Sequence, residues 1–183
     1  MNRVSTFPIA RRRKRGYDVD EVDEFLSRAR AAYDGVPGVA LRASEIRHTA
    51  FPLRRKGYQT QAVDAALERL EDAFAARERE LALLEVGDPE YRARTKELAD
   101  EIEARLRRDD KQRFSRVSVF SDGYRMRDVD AFARRILAYL ETGDGLTVTD
   151  ARAVVFAPQR GGYREAQVDM LIDALVDVML AIR

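Results

Sequence analysis

The 183-residue chain has no cysteine, a single histidine, five prolines and ten glycines. Without thiols it can hold neither a disulfide framework nor a thiolate metal site, a composition that fits a reducing compartment. No apolar run approaches the roughly 18–20 residues that span a bilayer. The arginines near the start are not followed by the apolar core of a secretory signal. A cytoplasmic protein is therefore expected. A Gly-rich phosphate loop, a nucleophile elbow and a His-x-x-x-His pair are all missing. The lone His48 reads as a cap or a partly buried polar residue, so no catalytic residue, cofactor or metal is expected.

What the chain does have is 45% hydrophobic and 36% charged residues. Together with abundant Ala, Leu, Glu and Arg, this points to amphipathic helices with solvated charged faces. Most carboxylates lie three or four residues from a Lys or Arg, as on an ordinary helix surface. Net charge is only +1, but residues 1–58 hold 13 Lys and Arg against seven Asp and Glu. That segment carries +6 and the remainder −5, so an anionic partner should meet the N-terminal third.

The strongest pattern is an internal repeat, Gly-Tyr-x4-Val-Asp, present four times. It occurs as Gly16-Tyr17 with Val22-Asp23, Gly57-Tyr58 with Val63-Asp64, Gly123-Tyr124 with Val129-Asp130, and Gly162-Tyr163 with Val168-Asp169. A phenylalanine precedes each copy. Phe7 and Phe114 lie nine residues before their glycine, whereas Phe51 and Phe156 lie six before theirs. The two types alternate, at offsets of 107 and 105 residues, and the second type extends upstream. There Leu41, Ser44, Glu45 and Arg47 align with Leu146, Thr149, Asp150 and Arg152. A two-copy module has been duplicated.

Each copy reads as an apolar anchor, a short polar or basic loop, a Gly turn and an amphipathic helix. The glycine suits a positive φ or a tight reversal, and the repeated Asp suits the helix dipole near a first turn. Asp18 and Glu21 have capping-box spacing, and Val22, Phe25, Leu26 and Ala29 form one helical stripe. Val168, Leu171, Ile172, Leu175, Met179 and Ile182 form another. Ser44 and Thr149 are expected as N-caps of single helical turns.

Between the modules, Val63, Leu67, Leu70, Phe74, Arg77, Leu81 and Leu84 step as a coiled-coil seam interrupted at Arg77. Gly87-Asp88-Pro89 breaks it, with Asp88 as N-cap and Pro89 at the first helical position. A second helix over 89–111 uses Tyr91, Thr95, Leu98, Ile102 and Leu106. Tyr33, Tyr91 and Tyr139 read as packing residues. The expected fold is mainly α: tandem loop-helix repeats in two modules joined by a helical hairpin, with short hairpin-like extended loops. The first module covers 1–70, with copies at 7–34 and 41–70. The connector covers 71–113, and the second module 114–183, with copies at 114–142 and 146–183.

The string Phe7-Pro-Ile-Ala-Arg-Arg-Arg-Lys-Arg-Gly-Tyr-Asp-Val-Asp-Glu-Val-Asp-Glu-Phe-Leu26 resembles the DivIVA domain of bacterial division-site and pole-organising scaffolds, in its actinobacterial form. The resemblance implies a peripheral, dimeric, coiled-coil protein that binds curved membrane and recruits division or polar-growth proteins. In membrane-binding members the loop before the glycine often presents a Phe followed by Arg. Here Arg15 matches the Arg, and Lys14 stands at the Phe position. The other three loops carry Arg55-Lys56, Ser121-Asp122 and Arg160-Gly161 there, so the third and fourth are expected to be poor at lipid contact. Members usually carry one such domain. Four copies in one chain suggest that the copies pair within the polypeptide, although pairing between two chains remains open.

Arg11, Arg12, Arg13, Lys14 and Arg15, with Arg54, Arg55 and Lys56, are the candidate anion-binding or membrane-binding residues, since each basic residue near an anionic bilayer contributes about 1 kcal/mol. The expected function is a non-enzymatic scaffold or adaptor in the cytoplasm, with attachment to the inner face of the membrane as one option. A soluble protein-interaction module is the alternative. A nucleic-acid binder ranks third, because the basic-aromatic interleaving of single-strand binders is absent.

Overall fold

The computed structural model describes residues 6–11 and 14–182. The described residues form seven helices and four three-residue strands, so the fold is mainly α with small antiparallel strand pairs. The chain divides into two compact units, Met1–Leu81 and Ala82–Arg183. In the first lie β1 (Arg15–Tyr17), α1 (Val19–Tyr33), α2 (Ala43–Arg47), β2 (Leu53–Arg55) and most of α3 (Thr60–Val86). In the second lie the end of α3, α4 (Asp88–Leu106), β3 (Asp122–Tyr124), α5 (Met126–Thr142), α6 (Val148–Ala153), β4 (Pro158–Arg160) and α7 (Glu165–Ala181). None of these helices is long and apolar enough to cross a membrane.

Local chemistry sets the helix ends. The Asp18 carboxylate accepts from the Asp20 N–H at 3.1 Å and starts α1. At α2 and α6 the caps differ from the expected Ser44 and Thr149. The N-caps are Arg42 and Thr147. The reason is the reach of the acidic side chain three residues on: Glu45 accepts from the Arg42 N–H at 2.8 Å, and Asp150 from the Thr147 N–H at 3.0 Å. Helix α4 is likewise capped one residue early, at Gly87 with φ 80°, which puts Asp88 in the first turn, where a carboxylate favours the dipole. It also stops at Leu106 rather than near 111. The Arg113 guanidinium donates to the Leu106 carbonyl at 2.8 Å, satisfying one of the acceptors a helix end leaves open.

The strands are not hairpins within one repeat copy. β1 pairs antiparallel with β2 across α1 and α2, matching Arg15 with Arg55 and Tyr17 with Leu53. β3 pairs with β4 in the same way, matching Asp122 with Arg160 and Tyr124 with Pro158. Each pair therefore joins the loops of two successive copies.

The apolar stripes bury as their spacing dictates, with informative exceptions. In the first unit Phe25, Ala29, Leu41, Ile46 and Phe74 form one cluster and Val22, Tyr58 and Val63 another. In the second unit a single larger core takes in Val129, Phe132, Ile136, Leu171, Leu175 and Val176, closed by Ile102 and Leu106 of α4. Ile182, expected on the α7 stripe, is 61% exposed, because it lies just past the last helical turn. The seam on α3 is buried only at its start. Val63 and Phe74 are in the core, Arg77 lies over the Tyr33 ring at 5.1 Å, and Leu81 and Leu84 are exposed. The coiled-coil reading thus fails in the last turns of α3. Of the three tyrosines read as packing, Tyr139 is buried and Tyr33 packs edge-on to Phe74, 5.5 Å between ring centres.

Candidate functional site

The repeat residues explain how each strand pair is held. Tyr17 and Tyr58 exchange backbone hydrogen bonds at 2.9 and 2.8 Å, and Tyr124 and Tyr163 do so at 2.9 Å each way. The glycine before each tyrosine is needed for this close approach. A Cβ at Gly16 would fall on the Tyr58 carbonyl oxygen, one at Gly57 on that of Tyr17, one at Gly123 on that of Tyr163 and one at Gly162 on that of Tyr124. Positive φ, one of the two reasons expected beside a tight reversal, occurs at other glycines such as Gly87 and Gly143.

The side chains cross over as well. The Tyr58 hydroxyl donates to Asp23 at 3.0 Å, and the Tyr163 hydroxyl donates to Asp130 at 3.0 Å. In the other direction Tyr17 faces Asp64 and Tyr124 faces Asp169, close enough that these carboxylates help raise the tyrosine hydroxyls. Each motif Asp thus receives the tyrosine of the neighbouring copy, a more specific role than the expected dipole complement. Each upstream phenylalanine follows the same rule. Phe7 meets Tyr58 edge-on at 5.3 Å and Phe114 meets Tyr163 at 5.3 Å, while Phe51 meets Tyr17 at 5.5 Å and Phe156 meets Tyr124 at 5.1 Å. Burial, followed by the facing aspartates, pushes the Tyr124 and Tyr163 hydroxyls up to about 12, and raises Tyr17. Val22, Val63, Val129 and Val168 are buried beneath. Glycine, tyrosine, valine and aspartate of the repeat are therefore one clasp, closed between successive copies of the same chain.

The clasp of the second unit is reinforced. Asp130 also accepts from Arg113 at 2.7 Å and from the Lys111 N–H at 3.0 Å. Arg113 and Asp130 are both buried, and Arg113 further pairs with Asp110. At the equivalent place in the first unit stands Thr6, whose hydroxyl donates to Asp23 at 3.3 Å.

The clasp also decides where the candidate basic residues go. The Ala10 N–H bonds to the Gly57 carbonyl at 2.8 Å and the Lys14 N–H to the Arg11 carbonyl at 2.7 Å, so the loop turns back at the end of the strand pair. There Arg11, Lys14, Arg15, Arg55 and Lys56 come together, all exposed, with Arg15 directly opposite Arg55. Like charges facing across a strand pair repel, and an anion bound between them would relieve that repulsion. Arg54 is drawn away instead. Its Nε lies 3.0 Å from Asp18, and that hydrogen bond holds the Asp18 carboxyl below its usual range. Arg12 and Arg13 lie outside the described residues.

The matching tip of the second unit carries different chemistry. The Ser121 N–H bonds to the Ser118 carbonyl at 2.9 Å, and the Gly161 N–H bonds to the Ser121 carbonyl at 3.0 Å. On this turn Val119 is 64% exposed and Phe120 88% exposed. Phe120 falls outside the repeat frame, so the repeat pattern alone gives it no role. The signal was there in an aromatic three residues before Gly123 with no helix or repeat position to occupy. His48 bonds through Nδ1 to the Ser44 carbonyl at 2.8 Å, a contact within its own short helix. No family model, curated protein or solved structure matches this chain.

Proposed function

We propose that this protein is a non-enzymatic scaffold or adaptor of the DivIVA kind, serving bacterial cell division or polar growth from the cytoplasmic face of the membrane. The observation that carries this reading is the gathering of Arg11, Lys14, Arg15, Arg55 and Lys56 at one end of the first strand pair. Five cations at about 1 kcal/mol each against an anionic bilayer give measurable attachment that weakens as salt screens it. Val119 and Phe120 on the second unit's turn add an apolar contact of the kind an interface accepts.

Co-sedimentation with anionic and with neutral vesicles, at low and high salt, tests it. The comparison is with a variant in which Arg11, Arg12, Arg13, Lys14 and Arg15 are all Ala. Salt-sensitive binding to anionic vesicles, lost in that variant, is the expected result. Absence of binding to either vesicle would move the function to a soluble adaptor, a second reading favoured by the apolar groove between α4 and α7.

A further inference from the structure

Helices α4 and α7 pack side by side in the second unit and leave between them an open groove of about 670 Å³. Leu98, Ile102, Leu171 and Ala174 form its apolar floor, and Met170 stands on its edge, 71% exposed. Arg105 and Arg108 rise on the α4 side, together with Glu101. Arg105 near the end of α4, and Arg108 just past it, differ from the other basic residues of that helix. Arg92, Arg94 and Lys96 are each paired with a carboxylate four residues away. Arg105 and Arg108 have no ion-pair partner among the described residues. An apolar floor beside unpaired cations suits a helix whose apolar face is edged by acids.

The same chain carries such a helix face. At the end of α3, Leu81 is 56% and Leu84 is 85% exposed. Leu81 and Leu84 are one turn apart on the same side, and exposed Glu80 and Glu85 flank them to left and right at 100° per residue. Neither glutamate has a cationic partner among the described residues. A leucine pair edged by carboxylates matches a groove edged by arginines in both shape and charge. In its own chain Leu84 is not seated in any such groove.

We infer that the α4–α7 groove receives the last turns of α3 from a second copy of this chain. The contact is heterologous, since knob and groove are different surfaces. It leaves one free knob and one free groove on each pair, so assembly continues head to tail. A contact of two leucines and a few ion pairs falls below the standard size for stable interfaces. Association is therefore expected at about 10–100 µM and to weaken with salt. The inference does not depend on lipid binding, and it is read without vesicles.

Sedimentation velocity over a range of concentrations tests it, using the full chain and two variants. Leu81→Glu with Leu84→Glu removes the knob and keeps the groove. Arg105→Glu with Arg108→Glu spoils the groove and keeps the knob. Wild type should form a concentration-dependent ladder, and each variant alone should weaken it at least about tenfold. Circular dichroism confirms that both remain folded. Mixed together, the two variants should form one heterodimer and nothing larger, because only one intact knob meets one intact groove. A monomeric wild type at about 1 mM would overturn the inference and leave the groove to a foreign acidic helix. It would equally be overturned if only the knob variant lost association, which would mean that two α3 ends pair with each other, or if the mixture failed to complement.

Discussion

Tyr58 donates its hydroxyl to Asp23, 35 residues earlier in the chain, while Tyr17 faces Asp64 in return. The second unit repeats the exchange with Tyr163 and Asp130, and with Tyr124 and Asp169. A motif that looks local is thus a set of reciprocal long-range contacts. It closes only when two copies are present together, which one polypeptide here supplies twice.

The two aspartates of this exchange should not be equally sensitive. Asp130→Ala removes the buried one of Arg113's two carboxylate partners, together with the acceptor of the Tyr163 hydroxyl, and should cost about 3–5 kcal/mol. Asp23→Ala removes hydrogen bonds at a half-buried site and should cost about 1–2 kcal/mol. Urea unfolding of each variant checks the order, and equal costs would contradict a buried role for Arg113.

Gly16→Ala and Gly123→Ala should each prevent the strand pair from closing, because the new methyl meets a backbone carbonyl that cannot move aside. Gly143→Ala, at φ 77° with open space around it, should cost only about 1 kcal/mol. Amide hydrogen exchange at Tyr17, Tyr58, Tyr124 and Tyr163 would report whether each clasp has opened.

Alkaline pH should act selectively. Tyr124 and Tyr163 have hydroxyls raised from 10.0 to about 12, mainly by burial. Their folded value lies above the unfolded one, so their contribution is complete below pH 10 and is lost as pH climbs through 12. An ultraviolet phenolate titration should show late-titrating tyrosines, and Tyr163→Phe should remove one of them.

Within the basic cluster, neighbouring arginines should behave differently. Arg55→Ala should weaken binding to anionic vesicles about fivefold. Arg54→Ala should weaken it less, because Asp18 already neutralises Arg54. Vesicle partitioning at low salt separates the two, and an equal loss would place Arg54 in the cluster after all.

Glu71 and Arg47 form a buried pair at 2.8 Å in the first unit, whereas Val176 stands at the position equivalent to Glu71 in the second. Glu71→Ala should cost about 3–5 kcal/mol, because it removes the buried carboxylate that the Arg47 Nε meets. Glu71→Val combined with Arg47→Met should recover most of that loss. Thermal unfolding of the single and double variants checks the recovery.

The sequence by itself determined the repeats, the helical class and most of the buried stripes, because apolar residues spaced three and four apart have one face to bury. It also singled out the four residues of the motif, although for weaker reasons than the real ones. Gly16 could be read as a turn residue, but only the tertiary structure decided that its hydrogen makes room for the Tyr58 carbonyl. Spacing along one chain cannot show what lies opposite. The same limit applies to Asp23, to the division between Arg54 and Arg55, and to Phe120, whose exposure depends on how a turn is held from across the strand pair. Leu81 and Leu84 continued the period of α3 faithfully, and folding left them in solvent. Periodicity dictates which side of a helix is apolar; what packs against that side is a property of the whole fold.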